Sequence, residues 1–140
     1  MFFRALKTLL LVSVFSSHGL EIGAGSGITY IREETTWATS FHLHLTKEVF
    51  RGETFTGLSF ESVADEHGHS IVSLMIGKKF GDVSMSYMPG IYVSGGSGIA
   101  HHFEVSYSVE LGSVHLGPFL SASFGEDTHY TVGLHVGIHL

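Results

Sequence analysis

The sequence predicts an all-β protein whose strands form an antiparallel up-and-down barrel. Apolar and polar residues alternate with a period of two in eight separate stretches, and no stretch after residue 19 has a convincing helical period. Tight turns and longer polar connections separate these stretches, as expected when hairpins succeed one another around a barrel. The 140 residues allow one domain, and the absence of cysteine means that no disulfide holds it together.

The first 19 residues have the pattern of a secretory signal peptide. Arg4 and Lys7 precede the apolar run TLLLVSVF, and small residues occupy positions 17 and 19. The run is too short for a membrane-anchoring helix, which needs roughly 20 apolar residues. We therefore expect cleavage after Gly19 and a single barrel domain over residues 20–140. This domain would carry five basic and thirteen acidic residues, a net charge of −8, which argues against nucleic acid as a partner.

Eight predicted strands account for the alternation. In order, they are 20–31, 37–46, 54–63, 70–79, 82–93, 102–111, 114–124 and 130–140. One face of each strand is apolar, and the opposite face carries mainly glycine, serine, histidine and glutamate. Tight turns are predicted after the fourth and sixth strands, and longer polar connections after the third, fifth and seventh. The segment KEVFRGE after the second strand is longer than this rule requires.

A soluble barrel and a transmembrane barrel share this alternation, and three features favour the transmembrane form. The apolar face of the six best-defined strands carries no formal charge, and one Arg at the bilayer midplane would cost about 2–4 kcal/mol. The polar face is mainly Gly, Ser and His, which suit the narrow interior of an eight-stranded barrel better than a solvated surface.

The third feature is a set of aromatic residues on the apolar face, toward the end with the longer connections. Amphipathic rings favour the headgroup zone, so such a set is typical of a membrane-interface girdle. Its members are Tyr30, Trp37, Phe60, Tyr87, Phe103, Phe124 and Tyr130. The sequence therefore predicts an eight-stranded antiparallel up-and-down transmembrane β-barrel.

The last strand resembles that of the small eight-stranded outer-membrane proteins of Gram-negative bacteria. In that family the strand ends on an apolar residue and has apolar residues two, four and six positions earlier. The corresponding residues here are Leu134, Val136, Ile138 and Leu140. The resemblance implies an outer-membrane location after secretion, contact with lipid and lipopolysaccharide, and recognition of this strand by the barrel assembly machinery. The family usually ends on Phe or Trp, and Leu140 departs from that pattern. We expect a monomer in which the last strand pairs with the first.

Ten histidines follow the predicted signal peptide. The simplest explanation is a polar lumen without a cofactor, because neutral imidazole offers both a hydrogen-bond donor and an acceptor. The alternative is a divalent metal, since histidine and carboxylate clusters suit zinc, nickel or copper. The predicted outer loops hold Asp65, Glu66, His67, His69, His101, His102, Glu126, Asp127 and His129. These residues could bind such an ion, contact cations bound to lipopolysaccharide, or simply be solvated, and none has a recognised metal-ligand spacing.

The hairpin registers predict a row of ionisable residues inside the barrel, near the end with the tight turns. A two-residue turn at 112–113 places Glu110 opposite His115. A five-residue loop at 125–129 would place His115 opposite His139. Glu21, low on the first strand, joins them if the closing register allows. We expect a hydrogen-bonded network in which Glu110 orients His115, and a metal site is the alternative.

Together these features predict a non-enzymatic barrel with a structural or surface-interaction role, whose side-chain-filled lumen is not an open pore. The first alternative is a divalent-metal-binding surface barrel that uses histidine and carboxylate ligands. The second is a lipid-modifying enzyme similar to lipid A deacylases or acyltransferases, with Ser106, Ser108 and His135 as the available nucleophile and base residues. No motif of either enzyme family is recognisable, so we do not expect an enzyme.

Overall fold

The computed structural model describes residues 19–50, 53–66 and 68–140. The predicted signal peptide, apart from Gly19, lies outside these residues, as does His67. Within the described residues, no helix has the length and apolar character needed to cross a membrane.

Nine strand segments form one closed antiparallel sheet. They are β1 (Leu20–Ile31), β2 (Thr36–Val49), β3 (Thr54–Ala64), β4 (Ser70–Phe80), β5 (Val83–Ser94), β6 (Ile99–Tyr107), β7 (Val109–Leu111), β8 (Val114–Phe124) and β9 (Thr128–His139). Sequential segments pair as hairpins except for β6 and β7, β1 pairs with β9, and β6 pairs with β8. The sheet therefore has no free edge, and it closes between the first and last strands as the sequence predicts.

Segments β6 and β7 are two parts of one barrel strand, which makes the barrel eight-stranded. Both pair with β8 in a single continuous register and are separated only by Ser108. Pro118 of β8 falls opposite Tyr107 in that register. Proline has no N–H to donate, so the hydrogen-bond ladder is interrupted at this point without a change of pairing.

The connections are shorter than the sequence predicts. Segment β5 continues to Ser94 and β6 begins at Ile99, so the long polar connection shrinks to residues 95–98. The last connection spans residues 125–127 rather than 125–129. Polar residues inside a barrel look like loop residues in the sequence, although they continue the alternation of the strands.

This difference corrects the predicted location of three histidines. His101 and His102 lie in β6 and His129 lies in β9, so none of them belongs to an outer loop. His102 and His129 are buried in the lumen, whereas His101 points outward.

The burial pattern is the inverse of that of a soluble protein. Outward positions hold exposed large apolar residues, such as Leu74 at 61%, Leu120 at 62% and Leu134 at 67% exposure. Buried positions hold polar residues, among them Thr29, Ser123 and His129 at 0% exposure. An apolar surface that continues around the whole barrel is unstable in water and suits a lipid environment.

Histidine rings fit into the narrow lumen because glycine stands opposite them. The cross-strand pairs are His44 with Gly23, His42 with Gly25, His115 with Gly137 and His135 with Gly117. A Cβ atom at Gly23 would meet the ring of His44, and one at Gly137 would meet the ring of His115. The absence of a side chain on one strand therefore makes room for the imidazole from the next.

Apolar side chains occupy the middle of the lumen. Phe55, Met75 and Met88 are buried in contact with one another. The ring of Phe119, from β8, packs edge-on against His42, from β2, with ring centres 4.7 Å apart. Met75 lines both a lower cavity and a smaller space beside Glu61 and His102. His44 and Glu104 line both spaces, so the ionisable residues follow one another along the lumen.

Candidate functional site

The barrel has an upper end and a lower end, and each holds a cluster of histidines and carboxylates. The upper end carries the connections 32–35, 65–69, 95–98 and 125–127. The lower end carries the connections 50–53, 81–82 and 112–113, together with Leu20 and His139. We define the lower cluster as Glu21, His44, Glu110, His115 and His139. We define the upper cluster as Glu61, Asp65, His69, His102, Asp127 and His129.

Glu21 is the centre of the lower cluster. Its Oε1 atom lies 3.2 Å from Nε2 of His115 and 3.4 Å from Nε2 of His44. Its Oε2 atom lies 3.5 Å from Nδ1 of His139. Nδ1 of His115 and Nε2 of His139 are 3.3 Å apart. Strands β1, β2, β8 and β9 thus contribute to one hydrogen-bonded network at the seam where the barrel closes.

The row predicted from the sequence is present, but its register is partly wrong. Glu110 does stand opposite His115. His115 stands opposite Gly137 rather than His139, because the final connection is two residues shorter than expected. A shift by two residues keeps every side chain on its face, so His115 and His139 still meet on a diagonal.

The sequence predicts that Glu110 is the carboxylate that orients His115. In the structure Glu21 makes this contact. Glu21 stands opposite His139 across the closing seam, a register that could not be obtained from the local sequence. The carboxylate of Glu110 instead approaches Nε2 of His139 at 3.5 Å, and its side chain is 57% exposed.

A cavity of about 140 Å³ adjoins the lower cluster. Its lining includes Glu104, Ser108 and His135. Ser108 and His135 are residues that an enzymatic alternative would use as nucleophile and base. Ser108 Oγ lies 3.0 Å from His135 Nε2, a distance suited to a nucleophile and its base. His135 Nδ1, however, is buried and has no hydrogen-bond partner in the described part of the chain. Among the described residues, no third group contacts the nitrogen through which such a base is usually oriented.

His129 connects Glu61, on β3, with Asp127, in the connection between β8 and β9. Its Nε2 atom is 2.9 Å from Oε1 of Glu61, and its Nδ1 atom is 3.4 Å from Oδ1 of Asp127. His102, on β6, reaches Oε2 of Glu61 with Nδ1 at 3.4 Å. Strands β3, β6 and β9 stand on different sides of the barrel, so these contacts cross the lumen.

Residues near the upper connections complete the upper cluster. His69 Nδ1 lies 3.2 Å from Oδ2 of Asp65 and 3.8 Å from Oδ2 of Asp127. Tyr92 donates its hydroxyl hydrogen to Oδ1 of Asp127 at 3.2 Å. Burial acts to raise the pKa of Asp127, but the hydrogen bond from His129 and the charges of His69 and His129 outweigh it and lower the pKa.

Two buried imidazole nitrogens of the upper cluster have no hydrogen-bond partner among the described residues. They are Nε2 of His69 and Nε2 of His102, on side chains that are almost fully buried. Nε2 of His102 is 3.9 Å from Oε2 of Glu104, which is beyond hydrogen-bond distance. Buried polar atoms without partners are costly, and the same condition holds for Nε2 of His42 and Nδ1 of His135, which belong to neither cluster.

The other predicted loop residues lie elsewhere. Glu66 is exposed, and Oε2 of Glu126 accepts a hydrogen bond from the backbone N–H of Ser97 at 2.8 Å. His101 lies beside Tyr87 on the outer face, with Nδ1 2.7 Å from the hydroxyl oxygen. Glu61, which the sequence places only on the polar face of the third strand, is the carboxylate that joins His102 to His129.

The seven aromatic residues of the predicted girdle lie on the outer face, and several contact one another. Ring centres are 5.1 Å apart for Tyr30 and Trp37 and 5.0 Å apart for Tyr87 and Phe103. Tyr130 stands opposite Tyr30 across the closing seam. Their placement in the headgroup zone stays a prediction.

The four apolar residues of the predicted assembly signal also face outward. Leu134, Val136, Ile138 and Leu140 are each about half exposed or more. Their recognition by the assembly machinery stays a prediction.

No protein-family model matches the chain, and no curated protein matches its sequence. Solved structures with the same fold include Neisserial surface protein A (NspA), with a TM-score of 0.62, 10% identity and coverage of 87% of this chain and 97% of that one. Ail, the attachment invasion locus protein of Yersinia pestis, aligns with a TM-score of 0.60 and 14% identity, covering 86% and 98%.

A de novo designed transmembrane β-barrel also aligns, with a TM-score of 0.58, 8% identity and coverage of 86% and 97%. At these identities the likeness concerns the fold and carries no residue roles. The closed sheet and these likenesses agree with the prediction made from the alternation of the strands. The chain has the fold of the small eight-stranded outer-membrane β-barrels.

Proposed function

We propose that this protein is a monomeric integral outer-membrane barrel with a filled lumen, serving a structural or surface-interaction role rather than acting as a pore or an enzyme. The observation that carries the proposal is the set of contacts across the lumen. Glu61 touches both His102 and His129, and Phe119 packs against His42. Each of these contacts joins strands on different sides of the barrel, so side chains occupy the space that a pore would need.

The proposal places the chain in the outer membrane after cleavage behind Gly19. The exposed apolar face supports a lipid environment, and the four upper connections would then face outward from the cell. These connections contain one basic residue, Arg32, and six acidic residues: Glu33, Glu34, Asp65, Glu66, Glu126 and Asp127. An acidic rim favours contact with lipopolysaccharide through bound cations over direct contact with its phosphates.

The upper connections are short and joined to one another, which suits a fixed surface. Oε2 of Glu33 accepts a hydrogen bond from the backbone N–H of Thr128 at 2.8 Å. Oε2 of Glu126 binds the backbone N–H of Ser97 at the same distance. A partner would therefore meet a small, preorganised acidic surface rather than long adaptable loops.

The incomplete Ser108–His135 pair supports a non-enzymatic role. We expect the lipid A acyl pattern of cells, measured by mass spectrometry, to be the same with and without expression of the protein. A change in acyl chains that disappears in Ser108→Ala would contradict this part of the proposal.

The filled lumen is tested by conductance in planar lipid bilayers. We expect the reconstituted barrel to give no steady open-channel current, because the side chains in the lumen leave no continuous water path. The matched variant is Met75→Ala combined with Phe119→Ala, which removes apolar side chains from the lumen while leaving the outer face unchanged. A steady ohmic current through the unmodified barrel, equal to that of the variant, would rule out the filled lumen.

A further inference from the structure

We propose that the upper cluster binds one divalent transition-metal ion of the zinc class through Glu61, His102 and His129. This inference goes beyond the closed-barrel role proposed above, which holds whether or not a metal binds. One ligand atom from each of the three residues lies within 4.8 Å of the other two. Two imidazoles and one carboxylate form a ligand set found at zinc sites that keep a further coordination position open.

The spacing of the donor atoms suits a small ion. In a tetrahedral zinc site with bonds of about 2.0–2.1 Å, neighbouring ligand atoms are roughly 3.3–3.4 Å apart. His102 Nδ1 is 3.4 Å from Oε2 of Glu61. His129 Nε2 is 2.9 Å from Oε1 of Glu61, so a small opening of this contact by side-chain rotation makes room for the ion.

Asp127 would orient His129 for coordination. When Nε2 of a histidine binds a metal, the other ring nitrogen carries a proton and usually donates it to a carboxylate. Oδ1 of Asp127 stands 3.4 Å from Nδ1 of His129, and Tyr92 holds that same carboxylate through its hydroxyl group. The arrangement fixes the ring, and binding of the ion at Nε2 would displace the proton that Nε2 directs at Glu61 while Nδ1 keeps its proton toward Asp127.

A second observation, independent of the spacing, is that a buried carboxylate stands at the centre of the site. Glu61 is buried inside the barrel, and the ring nitrogens of His102 and His129 contact its two carboxylate oxygens. Burying carboxylates is unfavourable unless positive charge accompanies them, and a divalent ion supplies that charge.

The lower cluster is already joined by contacts between its own side chains. Both ring nitrogens of His115 have partners, in Glu21 and His139, and both ring nitrogens of His139 are likewise contacted. Glu21, His115 and His139 also have ligand atoms within 4.8 Å of one another, but the two histidines use ring nitrogens to contact each other, so the metal proposal is made for the upper cluster. The acidic rim around the upper connections would also raise the local concentration of cations at its entrance.

Metal titration of the folded barrel tests the proposal. The barrel is purified in detergent, treated with a chelator and titrated with Zn²⁺ by calorimetry and with Co²⁺ by visible absorption. We expect one equivalent of Zn²⁺ to bind and Co²⁺ to develop visible bands of a low-coordinate site. His129→Gln and Glu61→Gln should abolish both signals, and Asp127→Asn should weaken Zn²⁺ binding by about 10–100-fold, as at other outer-shell partners.

His101→Gln and His139→Gln are the controls. His101 is next to His102 in β6 but faces outward, and His139 belongs to the lower cluster. Both variants should bind one equivalent with unchanged affinity. Loss of binding in His139→Gln together with full binding in His129→Gln would move the site to the lower cluster and overturn the proposal. Absence of stoichiometric binding to the unmodified barrel would overturn it as well.

NMR of the unmodified barrel tests the proposal without any substitution, so it remains informative if a variant fails to fold. Assigned imidazole NMR signals of His102 and His129 should shift or broaden on addition of one equivalent of Zn²⁺ or Co²⁺, while those of His115 should stay in place. Shifts confined to His115 and His139 would contradict the proposed site. Conductance and membrane fractionation are independent of these results, so failure of the metal site is distinguishable from failure of the closed-barrel role.

Discussion

At the scale of single residues, the lumen depends on which glycines stand opposite which histidines. A Cβ atom at Gly137 would meet the ring of His115 and lie 3.0 Å from Oε1 of Glu21. The sequence shows glycines and histidines on the same face, but it does not show that they are cross-strand neighbours. That relation exists only after the registers of two hairpins and the closing seam are set.

The first prediction follows from this close approach. Gly137→Ala should lower the free energy of unfolding by about 1–3 kcal/mol, because the added methyl group overpacks the lower cluster. Urea unfolding of the barrel folded into lipid bilayers measures the effect. Ala24→Val adds methyl groups to the outer face of β1 and should change the free energy of unfolding little. Equal losses in both variants would show that the packing of His115 is not responsible.

At the scale of strands, the direction in which each face points decides which substitutions are tolerated. Leu134 is 67% exposed on the outer face of β9, whereas its neighbour His135 is buried in the lumen. The alternation in YTVGLHVGIHL predicts this facing correctly, because a period of two survives any register shift by two residues. The same periodicity could not reveal that the last connection has three residues instead of five.

Leu134→Arg should therefore prevent folding into bilayers or destabilise the folded barrel by up to about 2–4 kcal/mol, since it places a charge on the lipid face. Leu134→Phe is the matched control and should fold as the unmodified chain does, because any apolar side chain suits that face. Folding is followed by the shift in gel migration between heated and unheated samples. Normal folding of Leu134→Arg would mean that the outer face of β9 does not meet hydrocarbon.

The connection between β1 and β2 gives a prediction about pH. Slight desolvation of the exposed Glu33 acts to raise its pKa, but the hydrogen bond from the Thr128 backbone and the charge of Arg32 outweigh it and lower the pKa. A lowered folded-state pKa stabilises the folded connection above the ordinary carboxyl pKa, and this stabilisation is lost as the pH falls through the folded value. We expect the amide NMR signal of Thr128 to titrate in that acidic range.

Glu33→Gln is the control for this titration, because the amide cannot ionise. Its Thr128 signal should be insensitive to acid over the same range. If the signal of the variant moved with pH as that of the unmodified barrel does, the Glu33 contact would not be the cause.

At the scale of the whole molecule, the lumen is largely polar and the outer face is apolar. This arrangement determines the environment in which the folded protein is stable. We expect the protein to sediment with the outer membrane and to resist extraction by carbonate or urea, because its apolar face is stable only in lipid. Sucrose-gradient fractionation followed by heat-modifiable gel migration tests this. Recovery as a soluble periplasmic monomer would contradict the membrane location.

The sequence by itself determined the fold class, the number of barrel strands and the face on which each residue of a strand lies. Alternation is a local property, so the two faces of each strand can be identified from that stretch of sequence alone. The tertiary structure alone decided which residues meet across the lumen. Glu21 reaches His115 through the closing seam, and Glu61 joins His102 to His129 from strands that are not adjacent. Such contacts depend on the lengths of the connections and on how the first and last strands pair. A register shift of two residues keeps every side chain on its face but changes every cross-strand partner, so the sequence pattern cannot reveal it.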